Sequence, residues 1–229
     1  MKLLIFDIDG TLTSLDGATT RAYVKAFAQR FGRDPITEGF SMHGRTDPLI
    51  FREFFLRTGL NGDWRSEYEA FKPLYLEALP RSIQDSPGAR VHVGVRELLD
   101  ALTQRKDDFA LALGTGNMEA GGRTKIRHFN LDHFFPVGGF GDVHEERYMI
   151  LTDAVEASAS HYQRHFAPED TWVIGDTEHD VHGAQKIGVR TLAVATGGKY
   201  NVEMLRKAGA DKVYEDLSRT SELLELFNR

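Results

Sequence analysis

The sequence predicts an α/β fold: a mostly parallel, doubly wound sheet with an all-helical block inserted after its first strand. Three observations carry this. The chain opens on a continuous apolar run, Leu3 to Phe6, which suits a strand buried on both faces. From Ser82 onward, short apolar runs alternate with helical patterns, the signature of parallel strands joined by crossover helices. Between these parts, Leu15 to Arg81 shows only helical periodicity and is rich in aromatic residues. Residues 1–14 and 82–229 are therefore expected to form the sheet core, and residues 15–81 a separate helical domain.

In chain order, Thr20 to Phe31 reads as an amphipathic helix, with Tyr23, Phe27 and Phe31 at spacings of four and Gly32 just past its end. Asp47-Pro48 predicts a second helix, with Asp47 as N-cap, Pro48 in the first helical position and Gly59 at the end. Trp64, Tyr68, Phe71 and Tyr75 mark a third. Ser82 to Val93 reads as a turn-rich return centred on Pro87-Gly88. Gly94 to Leu102 is then a helix, Phe109 to Leu113 a buried strand, and a further helix runs on through Phe129. Phe134 to Val137 is expected as a short strand followed by a loop loosened by Gly138, Gly139 and Gly141. Glu145 to His161 is a helix, Thr171 to Ile174 and Val189 to Val194 are strands, and Asn201 to Ala210 is a surface helix. Lys212 to Tyr214 forms an edge strand and Thr220 to Phe227 a closing helix.

Composition narrows the function classes. Hydrophobic residues make up 41% and charged residues 27% of the 229 residues, an ordinary globular mix. A net charge of −6 disfavours a general nucleic-acid or anionic-membrane surface. Cysteine is absent, which removes disulfides, thiolate metal sites and cysteine nucleophiles. No stretch resembles a signal peptide and no apolar run is long enough to span a bilayer, so the cytoplasm is the expected compartment.

The chemistry gathers at strand ends, where α/β sheets bind ligands. Asp7 and Asp9 follow the first strand directly, and Gly10 stops it. Two adjacent acids are costly unless a cation or a proton relieves them. Asp9-Gly10 is also a strong turn signal, so a purely structural reading competes. A second strand end carries Thr115 and the backbone donors around Gly116; a later one carries Asp176 and Asp180, four residues apart. Taken with Asp7 and Asp9, these acids make an oxygen-rich cluster of the kind that suits Mg²⁺.

These residues resemble the haloacid dehalogenase-like hydrolase superfamily, in the branch that includes phosphoglycolate phosphatase and β-phosphoglucomutase. Asp7-Ile8-Asp9-Gly10-Thr11 is similar to its first motif, Thr115-Gly116-Asn117 to its second, and Gly175-Asp176-Thr177-Glu178-His179-Asp180 to its fourth. The resemblance covers essentially the whole chain and implies a Rossmann-like core with a mobile helical cap. It implies Asp7 as nucleophile, forming an aspartyl phosphate, and Asp9 as acid and then base. It places Mg²⁺ on Asp7, the Asp9 backbone carbonyl and Asp176, with Asp180 in support. Thr115 and the Gly116 amide would hold the phosphoryl oxygens, and Gly10 would let the backbone come close.

The third motif departs from the pattern. The family usually has a Lys there, whereas this chain has Gly141-Asp142-Val143-His144-Glu145-Glu146-Arg147. Arg147 is the expected phosphate-binding cation. Lys125 is its rival, but lies about two turns past Thr115 and is expected to point away from the site. In the cap, Arg45 within Gly44-Arg45-Thr46-Asp47 is a candidate contact for an anionic leaving group, and His179 reads as a rim residue.

The expected activity is Mg²⁺-dependent hydrolysis of a small phosphorylated metabolite by a monomer or homodimer. A phosphomutase on the same scaffold is the runner-up, and a non-catalytic phosphate-binding protein a third reading. Dehalogenases lack the second acid that Asp9 supplies, and P-type ATPases carry Thr there. A phospho-receiver module has no large helical insert.

Overall fold

The computed structural model describes residues 1–142 and 144–229; Val143, within the third-motif segment, lies outside the described residues. The elements run β1 (Lys2–Phe6), β2 (Thr13–Ser14), α1 (Ala18–Phe31), α2 (Asp47–Arg57), α3 (Trp64–Gln84), β3 (Arg90–Val91), α4 (Val95–Thr103), β4 (Phe109–Thr115), α5 (Glu119–His128), β5 (Val137–Phe140), α6 (Arg147–Tyr162), β6 (Thr171–Gly175), α7 (Glu178–Ile187), β7 (Arg190–Val194), α8 (Val202–Lys207), β8 (Lys212–Tyr214) and α9 (Thr220–Phe227).

Six strands pair in parallel in the order β5-β4-β1-β6-β7-β8. The doubly wound core expected from the alternating pattern is present. β1 lies at the centre, with β4 on one side and β6 on the other, so the carboxyl ends of these three strands are neighbours. Successive residues of β1 point to opposite faces. Leu4 and Phe6 pack with Leu98, Leu102, Ile126, Leu223 and Phe227 from α4, α5 and α9. Leu3 and Ile5 pack with Leu151 and Ala154 of α6 and Ala184 of α7 on the other face. A strand without alternating polarity is what this two-sided burial requires.

The helical block packs α1, α2 and α3 around an aromatic core. Tyr23 stands 4.7 Å from Phe71 and Phe51 stands 4.9 Å from Phe71, centroid to centroid. The stripes at spacings of three and four are therefore packing surfaces. A two-stranded antiparallel ribbon of β2 and β3 binds the chain where it leaves the sheet to where it returns.

Several boundaries differ from expectation. α1 begins at Ala18, two residues before Thr20, and α3 runs through Pro73 and Pro80 to Gln84, beyond residue 81. The expected turn at Pro87-Gly88 is present, and the return also holds β3. Asp47 is the first residue of α2, and Thr46 is the N-cap. The Asp47 carboxylate is buried and takes a hydrogen bond from outside its own helix. The fifth sheet strand is Val137–Phe140, and Asp132–Phe134 forms a 3₁₀ turn. Its glycines are strand residues because α6 lies directly on them: a Cβ on Gly139 would stand 1.9 Å from the Ile150 carbonyl oxygen. Among the described residues, no helix is long and apolar enough to cross a membrane.

Candidate active site

β1 ends at Phe6, and the chain passes at once into Asp7, Ile8 and Asp9. Asp7 remains tied to the sheet through its N–H, which donates to the Ile174 carbonyl of β6 at 2.9 Å. Gly10 then turns with φ +86, and its N–H donates to the Thr13 carbonyl at 2.8 Å. A side chain at Gly10 would be strained by that φ, and its Cβ would lie 2.4 Å from Asp176 Oδ2. The turn predicted by Asp9-Gly10 and the acidic site are thus the same structure.

β6 ends in Gly175, placing Asp176 beside Asp7. Asp180 sits in the first turn of α7, where its Oδ2 accepts from the Thr177 hydroxyl at 2.7 Å and the Thr177 N–H at 3.2 Å. Carboxylate oxygens of Asp7, Asp176 and Asp180 lie within 4.8 Å of one another, and all three residues are buried. Thr11 Oγ1 donates to Asp176 Oδ1 at 3.2 Å.

Burial raises the Asp7 pKa to about 6, with Asp180 and Asp9 adding to the rise and Arg147 opposing it. Burial, then Asp180 and Asp7, hold Asp176 well above the usual carboxylate range. Three buried acids whose carboxylate oxygens converge in this way have the donor set of a divalent-cation site built from oxygen ligands.

Arg147, the first residue of α6, lies inside this cluster and is 8% exposed. Its Nη2 stands 3.0 Å from Asp7 Oδ2 and 2.6 Å from Asp180 Oδ1. Burial works against its charge, but Asp180 and Asp7 more than offset this and raise its pKa. Its Nε and Nη1 are buried without a hydrogen-bond partner among the described residues, so they have donors to spare for an anion.

Thr115 ends β4 and is fully buried. Its hydroxyl oxygen accepts from Asn117 Nδ2 at 2.7 Å, which leaves its own proton free to donate. Gly116 follows, and its carbonyl accepts from the Asp47 N–H at 2.8 Å, joining the loop to the start of α2.

Lys125 overturns an expectation. It was expected to point away on a solvated helix face, yet it is 0% exposed. Its Nζ donates to Asp9 Oδ2 at 2.6 Å and to Asn117 Oδ1 at 2.6 Å. Two turns of α5 separate Lys125 from the β4 end, but its long stem runs back toward the helix N-terminus, as helical side chains do. Among the described residues, Arg147 thus pairs with Asp7 and Asp180, and Lys125 pairs with Asp9.

A cavity of about 280 Å³ opens onto Asp7, Asp9, Thr115, Lys125, Arg147 and Asp176. The helical block closes it with Thr19, Thr20, Met42, Arg45 and Ile50 among others. Arg45 is exposed, with its guanidinium 4.8 Å from the Phe40 ring centroid. His179 lines a neighbouring cavity rather than the carboxylate cluster.

Residues 4–194 match the family described as haloacid dehalogenase-like hydrolase. The chain belongs to that family. This hydrolase is 25% identical over 224 residues to the phosphorylated carbohydrates phosphatase of Thermotoga maritima, covering 92% of each chain. It is 28% identical over 199 residues to the tyrosine-protein kinase PtkA of Mycobacterium tuberculosis, covering 86% of this chain but only 62% of the kinase. Among solved structures, a predicted phosphoglycolate phosphatase from Haemophilus somnus superposes with a TM-score of 0.73 at 16% identity, covering 98% of both chains.

The sequence offered no site role for Thr11, Asp47 or Asn117, and offered Lys125 only as the rival of Arg147 for the phosphate, not as a partner of Asp9. Thr11 and Asn117 lie inside quoted motifs, so their positions were available. Lys125 and Asp47 carried only the signal of charge on helices, which usually means a solvated face.

Proposed function

We propose that this hydrolase is a Mg²⁺-dependent phosphatase of a small phosphorylated metabolite, acting through an aspartyl phosphate on Asp7. One observation carries the reading: three buried carboxylates lie within 4.8 Å of one another, and two of them, Asp7 and Asp176, line a cavity that also presents Thr115 and Arg147. The Thermotoga relative's description as a phosphatase of phosphorylated carbohydrates supports it. The kinase relative extends well beyond this chain, and its activity is not carried over.

Asp7, Asp176 and Asp180, with the Asp9 carbonyl, would hold Mg²⁺. The oxygen donors fit it, and it would supply positive charge against the phosphoryl group as the nucleophile approaches. Arg147 already touches Asp7, and its unpartnered nitrogens suit phosphoryl oxygens. The Thr115 hydroxyl and the Gly116 N–H add neutral donors. Asp7 attacks phosphorus, a P–Oδ bond forms, and the bond to the leaving oxygen breaks as Asp9 delivers a proton to it. Water then gives its proton to Asp9 and displaces Asp7, releasing phosphate. Residues 15–81 act as a cap that selects the leaving group.

The test is phosphate release from a panel of phosphorylated metabolites, including glucose 1-phosphate and its isomers, with Mg²⁺ and with chelator. Release that needs Mg²⁺ is expected, and Zn²⁺ should substitute poorly. Full activity in metal-free buffer overturns the mechanism, and isomer exchange without phosphate release makes the protein a mutase.

A further inference from the structure

The proposed acid–base residue is held by a buried clamp. Asp9 follows the end of β1, so the sheet does not fix its side chain, which is 42% exposed toward the cavity. Its Oδ2 accepts from Lys125 Nζ at 2.6 Å and from Asn117 Nδ2 at 2.8 Å. Lys125 and Asn117 also bind each other at 2.6 Å, and Asn117 continues to Thr115 Oγ1 at 2.7 Å. The result is a closed ring of hydrogen bonds around one carboxylate oxygen. An ammonium with no exposure is costly, and a chain tolerates it where paired acceptors fix its place.

Arg147 contacts Asp7 and Asp180, while Lys125 contacts Asp9. The two cations thus divide the site between them. One lies beside the nucleophile and the cation cluster, and the other holds the group that handles protons.

We infer that Lys125 is a positioning residue for Asp9. With Asn117 it occupies Oδ2 and locks the carboxylate in one rotamer, so that Oδ1 is the oxygen that meets the leaving group and, later, the attacking water. This rests on the phosphatase reading above. In the first step the proton passes from Asp9 to the leaving oxygen as the P–O bond breaks. In the second it passes from water to Asp9 as the Asp7–phosphorus bond breaks. Lys125 donates hydrogen bonds throughout and gives up no proton. Orientation of this kind matters because a small misplacement of a reacting group costs about 10²-fold in rate.

The test uses leaving groups that differ in their need for a proton. A nitrophenolate departs unaided, whereas an alkoxide does not. Lys125→Met should lower kcat/KM for an alkyl phosphate by about 10²-fold, the scale of general acid catalysis. For p-nitrophenyl phosphate the loss in kcat/KM should be at least about tenfold smaller, because that leaving group needs no proton. The same variant should release a burst of nitrophenolate matching the enzyme concentration, because breakdown of the aspartyl phosphate still needs Asp9. Asn117→Ala should show the same selectivity with a smaller loss, and serves if Lys125→Met does not fold. Equal losses on both esters in a folded variant, or no loss on the alkyl ester, overturn the inference while the phosphatase reading stands. A parent protein that cleaves neither ester overturns both.

Discussion

Arg147 Nη2 stands 3.0 Å from Asp7 Oδ2, so the first residue of α6 pairs with the acid that directly follows β1. The family's usual Lys is missing from this segment, and Arg147, at the N-terminus of α6, is the residue we propose in its place. A planar guanidinium can hold Asp7 with one nitrogen and present others to an anion. Arg147→Ala should therefore lower kcat/KM by about 10² to 10³, the scale of losing one preorganised donor. Arg147→Lys should recover only part, because an ammonium is a point charge on a shorter reach. Steady-state rates at saturating Mg²⁺ on one substrate decide this, and an Arg147→Ala enzyme within threefold of the parent excludes the role.

Asp7→Asn should abolish turnover and leave the fold intact. The amide is nearly isosteric with the carboxylate but is a poor nucleophile, and one negative charge is lost from the carboxylate cluster. Removing one charge from three crowded acids relieves repulsion, so thermal stability in chelator should hold or rise. A variant whose kcat stays within about tenfold of the parent would show that another group attacks phosphorus.

Arg45 belongs to the wall that the helical block presents to the cavity. It has no carboxylate partner among the described residues, and its guanidinium lies over Phe40. A cation in that position can meet an anionic leaving group without touching the phosphoryl group itself. Arg45→Ala should raise KM for anionic metabolites and spare p-nitrophenyl phosphate. Equal losses on both substrates, measured side by side, point to a general role in the site instead.

The legible part of this protein was the part whose residues act locally. Leu3 to Phe6 announces a central strand through its lack of alternation, and the two acids that follow point to a site because acids so close together need a cation or a proton to relieve them. The aromatic stripes of the helical block read correctly because packing there depends on i, i+3 and i+4 neighbours. What could not be read depends on contacts across the chain. Gly138 and Gly139 signal a loop until α6 is seen pressed against them. Lys125 signals a solvated face until its stem is traced to Asp9, 116 residues earlier. Asp47 signals an N-cap until its carboxylate is found on the Met118 N–H.

Asp47 gives the prediction that separates stability from catalysis. It joins α2 to the loop after β4: its N–H donates to the Gly116 carbonyl at 2.8 Å, and its Oδ2 accepts from the Met118 N–H at 2.8 Å. Its own carbonyl accepts from the Tyr23 hydroxyl at 2.9 Å. Burial raises its pKa to about 6, although Lys125 and the Met118 N–H favour the charged form. The folded state therefore binds this proton more tightly than the unfolded chain, whose aspartate titrates near 3.8. The stabilising contribution is fully present below the unfolded value and is lost as pH rises through about 6. Asp47→Asn keeps an oxygen for Met118 and removes the titration. Relative to the parent, the variant should gain stability between pH 4 and pH 7.5, by on the order of 2 kcal/mol for a shift of this size. Denaturant unfolding of both proteins across that range, in chelator, gives the answer. Parallel curves would mean that Asp47 stays ionised in the fold, with Lys125 near enough to balance it.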